Sequence, residues 1–67
     1  MEKTPVIARV HRGILTQEAL DALNVVGGTF GRGFNIYGSR EISETIESFR
    51  QRIQQLSPDA EVEIIDN

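Results

Sequence analysis

The sequence predicts an α+β domain, a two-layer sandwich in which a small three- or four-stranded sheet carries two helices on one face. Two patterns carry that expectation. Residues 42–56 repeat apolar side chains at helical spacing, and a shorter helical pattern runs through residues 16–26. Residues 6–12 and 60–66 alternate apolar with polar side chains, the period of a strand with one dry face. A chain of 67 residues has room for one core, so residues 1–67 read as a single small domain.

The first strand follows Pro5, which suits the start of a strand because its missing N–H costs nothing there. Val6, Ala8 and Val10 fall on one face, with Ile7, Arg9 and His11 on the other, and Gly13 breaks the run. Thr16 is placed to cap a helix. Leu15 precedes it and Leu20 occupies the fourth helical position, the spacing of a hydrophobic staple. Glu18 lies in the first turn, where a carboxylate is favoured. Ala19, Leu20, Leu23 and Val26 form a narrow apolar stripe, and Gly27 is expected to cap the C-terminal end.

Residues 27–38 contain five of the six glycines. They admit two architectures. A continuous strand from Thr29 to Tyr37 gives β-α-β-α-β. A break at Gly31-Arg32-Gly33 gives two strands joined by a tight turn and the order β-α-β-β-α-β, which is ferredoxin-like.

The second helix is expected from Ser39, as N-cap, to Leu56. Ile42, Ile46, Phe49, Ile53 and Leu56 fall on one stripe, and Glu44, Glu47, Gln51 and Gln55 on the opposite face. Ser57-Pro58-Asp59 ends it, since proline disfavours a helical conformation in the residue before it. The last strand is expected over Ala60 to Asp66. Val62 and Ile64 point inward and Glu61 and Glu63 outward, while Ile65 breaks the alternation. Ile7, Tyr37 and Ile65 are the apolar side chains expected on the sheet face that the helices leave open.

Composition narrows the function classes. Without cysteine there is no disulfide framework and no thiol nucleophile. Net charge is -3, which argues against nucleic-acid binding. Residues 1–40 are mildly basic (Lys3, Arg9, Arg12, Arg32 and Arg40 against Glu2, Glu18 and Asp21). Residues 41–67 are acidic, with seven carboxylates against Arg50 and Arg52. One source of this split is a charged sheet edge. Another is that two copies, or a partner, meet with complementary charge. No apolar run approaches the roughly 20 residues of a membrane span. Met1-Glu2-Lys3-Thr4-Pro5 lacks the pattern of a secretion signal, so a cytoplasmic location is expected.

Four constellations of residues bear on chemistry. Gly28, Gly31, Gly33 and Gly38 with Arg32, Ser39 and Arg40 suggest an anion-binding cradle for a nucleotide or other phosphate-bearing ligand, its backbone amides close to the phosphate. The spacing matches neither the dinucleotide fingerprint nor the nucleotide-triphosphate loop. His11, the only histidine, has no orienting carboxylate nearby in sequence, as a general base needs. Glu41, Glu44 and Glu47 recur every three residues without the histidine or the Asp/Asn-rich loop of a metal site, so no metal and no cofactor is expected. Phe30, Phe34 and Tyr37 interleave with Arg32 and Arg40 as a base-stacking surface would, but the acidic balance opposes it. The expectation is therefore a non-catalytic binding or regulatory module acting through protein–protein contact, as a homodimer or a small subunit of an assembly. Arg9, His11, Arg32, Tyr37 and Ile65 are its contact residues. The alternative is a phosphate-ligand binder at Gly27–Arg40.

Overall fold

The computed structural model describes residues 2–29 and 34–66. Its elements are β1 (Lys3–Arg12), α1 (Gln17–Leu23), β2 (Gly27–Thr29), β3 (Phe34–Glu41), α2 (Ile46–Leu56) and β4 (Glu61–Asp66). The four strands form one open sheet in the order β2-β3-β1-β4, antiparallel at every pairing. β3 lies between β2 and β1, and β1 lies between β3 and β4. Each helical connection therefore passes over an intervening strand, the split β-α-β arrangement of the ferredoxin-like order. The glycine stretch thus holds two antiparallel strands rather than one. Phe30, Gly31, Arg32 and Gly33 lie outside the described residues.

The core joins the inner face of the sheet to both helices. β1 contributes Val6, Ala8 and Val10, and β4 contributes Val62 and Ile64. They meet Ala19 and Leu23 of α1 and Phe49 and Ile53 of α2, all buried. Gly38 sits where Leu23 approaches β3, and a β-carbon there would run into the Leu23 carbonyl oxygen. Gly13 has φ +79, and a β-carbon on it would lie 2.6 Å from the Asp59 carbonyl oxygen. The end of β1 can therefore pass the turn before β4 only with glycine.

Two helix ends differ from expectation. The second helix starts at Ile46 with Thr45 as its cap, whose hydroxyl accepts from the Ser48 N–H at 3.1 Å. Ser39, Arg40 and Glu41 instead continue β3, opposite Pro5, Thr4 and Lys3. The reason is tertiary. β1 extends back to Lys3, so this segment gains ladder hydrogen bonds that outweigh one more helical turn. Ile42, assigned to the helical stripe, is 54% exposed, while Ile46, Phe49, Ile53 and Leu56 keep the stripe and pack on the core. The first helix ends at Asn24, not Gly27. Asn24 adopts the left-handed conformation (φ 52, ψ 54) and its N–H bonds to the Asp21 carbonyl. Gly27 opens β2, and Val26, expected in the stripe, is 85% exposed.

The two helices are tied end to end. The Thr16 N–H donates to Ser57 Oγ at 2.8 Å, and the Thr16 hydroxyl donates to the Leu56 carbonyl at 2.8 Å. The same Thr16 oxygen accepts from the Ala19 N–H, the capping bond expected for it. Ser57 is the one polar residue among the buried ones described.

Candidate functional site

Strand register builds the open face. Ile7 of β1 lies opposite Tyr37 of β3 on one side and Ile65 of β4 on the other. The three form a continuous row across the sheet, all partly exposed. Neighbouring strands are about 4.8 Å apart, so the row is about 10 Å wide. Pro5, two residues along β1 and exposed, extends the apolar strip. The helices occupy the opposite face, where the core lies.

The next row is polar. Arg9 lies opposite Asn35 on β3 and Glu63 on β4. Its Nε donates to Asn35 Oδ1 at 3.2 Å. Glu63 is held instead by His11, whose Nε2 lies 2.9 Å from Glu63 Oε1. The β1–β4 register shifts between Val10 and Arg12, at His11. Among the described residues, no carboxylate comes within ion-pair distance of Arg9. Lys3 and Glu41 close the far end of the face at 3.9 Å.

Of the expected contact residues, Arg9, His11, Tyr37 and Ile65 gather on this one face. Arg32 lies outside the described residues. Glu63 as the partner of His11, and Asn35 as the partner of Arg9, are pairings that the linear sequence does not reveal. His11 and Glu63 are 52 positions apart, and only the register of β4 on β1 joins them. Both side chains are about half exposed, and no hydroxyl nucleophile is bonded to the imidazole among the described residues.

Of the residues expected to form an anion cradle, Gly28, Gly38, Ser39 and Arg40 are described, and all four belong to strands. Gly31, Arg32 and Gly33 fall outside the described residues. Gly28 lies in β2 opposite Ile36. Gly38 is buried against α1. Ser39 is a strand residue and begins no helix, so the expected helix N-terminus is not there. Arg40 is largely buried. Its guanidinium donates to the Glu41 carbonyl at 3.2 Å, to the Glu44 carbonyl, and to Asp66 Oδ1 at 3.2 Å, fastening the β3–α2 turn to the end of β4.

Glu41 belongs to β3 and Glu44 precedes the helix cap, so the expected helical row of three carboxylates is not formed. Arg52 hydrogen-bonds Glu44 at 2.9 Å and holds its carboxyl below the usual range. Arg50 does the same for Glu47. Among the described residues no cluster of three or more acidic or histidine side chains is placed to hold a metal ion. None of the described helices is long and apolar enough to cross a membrane. A groove of about 530 Å³ lies on the helix side beside β2, lined by aliphatic side chains and glycine, among them Ile14, Leu20, Val25 and Ile36. The described residues that line it present almost no polar surface.

No protein-family model, no curated protein and no solved structure matches this chain.

Proposed function

We propose that this protein is a non-catalytic binding or regulatory module that works by protein–protein contact through the open face of its sheet. One observation carries the proposal. Tyr37, Ile7 and Ile65 form an apolar row across three strands, edged by Arg9, His11 and Glu63. An apolar strip rimmed by charged and polar groups is the usual anatomy of a contact surface. The charges on the acidic edge strand β4 would then set partner and register as well as deter edge pairing. The same proposal takes the chain to act in the cytoplasm and without a cofactor, as its composition suggests.

The test is a photoreactive side chain placed at position 37, with the same group at Gln51 on the exposed side of α2 as control. The expected result is a discrete adduct from position 37 and none from position 51. Equal labelling from both positions, or none from position 37, would remove the open face as the contact surface.

A further inference from the structure

Building on this contact surface, we infer that the partner of the open face is a second copy of the same chain. The two sheets would stack face to face about a twofold axis that runs along the strands between β1 and β4. The charges select this axis. Placed through β1, a twofold would set Arg9 against Arg9 of the second copy. Moved to the line between β1 and β4, it sets β1 over the β4 of the second copy, at the same level along the strands.

Arg9 then faces Glu63 of the other copy, and Ile7 faces Ile65, each contact made twice. This follows from the register alone, because Arg9 and Glu63 are cross-strand partners, as are Ile7 and Ile65. Stacked sheets lie about 10 Å apart, within the combined reach of an arginine and a glutamate side chain. Arg9 also has a reason to seek a carboxylate outside its own chain. Among the described residues it bonds only to the Asn35 amide, and His11 takes the carboxylate opposite it. Tyr37, one strand further out, closes over the exposed β4 edge of the second copy. The interface is isologous and self-limiting, so it yields a dimer and not a fibre.

The test uses sedimentation velocity at about 100 µM on the full chain, the variants Arg9→Glu and Glu63→Arg, and their equimolar mixture. The parent is expected to sediment as a dimer. Each variant sets like charges against each other across the twofold and is expected to sediment as a monomer. The mixture restores both opposite-charge contacts and is expected to form a heterodimer. Neighbouring charges within one chain cannot produce that last result. If Arg9→Glu fails to fold, Ile65→Lys, which meets Ile7 of the other copy, must be monomeric instead. A monomeric parent, variants that remain dimeric, or a mixture that stays monomeric would overturn the inference. A monomeric parent that still forms a discrete adduct with a different protein from position 37 removes the second copy but keeps the contact surface. A monomeric parent with no adduct removes both.

Discussion

Removing the Ser57 hydroxyl is expected to loosen the whole domain, though it touches no exposed surface. Ser57 is 1% exposed and sits where the end of α2 meets the start of α1. Ser57→Ala leaves the Thr16 N–H without its acceptor at 2.8 Å. An orphaned buried donor costs about 1–3 kcal/mol, and the lower half of that range applies because Thr16 itself reaches solvent. The loss is therefore about 1–2 kcal/mol. A chain of this length has a total stability of about 3–10 kcal/mol, so the melting temperature should fall by about 4–16 °C. Thr16→Ala loses a helix cap, about 1 kcal/mol, and the bond to the Leu56 carbonyl, about 1 kcal/mol more. The double variant should lose less than the sum of the two, since both share the Thr16–Ser57 hydroxyl contact at 3.1 Å. Urea titration followed by far-ultraviolet circular dichroism measures all three. A Ser57→Ala protein within about 0.5 kcal/mol of the parent, with strictly additive effects, would refute the coupling of the helix ends.

Other perturbations separate the remaining contributions. Gly38→Ala drives a methyl into the Leu23 carbonyl and should destabilise by about 1–3 kcal/mol in the same titration. Arg40→Ala removes the fastening of the β3–α2 turn and should cost about 2–3 kcal/mol, and Arg40→Lys should recover little, because an ammonium cannot reproduce the planar fork. Phe49→Ala empties the centre of the core and should cost about 3–5 kcal/mol, enough to unfold much of the population at 37 °C. Glu44 is held below the usual carboxylate range by Arg52. Its contribution is present above that range and fades as pH falls through the lowered value, so Glu44→Gln should flatten the acid limb of stability against pH, an effect under about 1 kcal/mol.

Much of the fold is legible in the residues, because burial imposes period on sequence. Val6, Ala8 and Val10 announce a dry strand face, Val62 and Ile64 do the same, and Phe49 and Ile53 hold the centre of a helical stripe. Thr16 is readable as a cap because its hydroxyl acts within three residues. The misplacements come from interactions that span the chain. Ser39 to Glu41 carries helix-compatible residues, and only the pairing with Lys3 to Pro5 makes it a strand. Asn24 and Gly27 both tolerate a left-handed cap, and the position of β2 against β3 decides between them. The open face is half legible. Parity alone sets Ile7, Tyr37 and Ile65 on one side of the sheet, but not in one row. The partners of Arg9 and His11 depend on a strand register that no local pattern records.

The most direct test of the open face as a contact surface is methyl NMR of the isoleucines in the presence of a soluble gadolinium chelate, repeated over a concentration series. Ile7 and Ile65 should gain protection from the chelate as concentration rises. Ile14 and Ile42, 81% and 54% exposed and away from the row, should stay equally relaxed throughout. If Ile7 and Ile65 respond to the chelate identically at every concentration, or if Ile14 and Ile42 gain the protection instead, the open face is not where this chain meets a second copy.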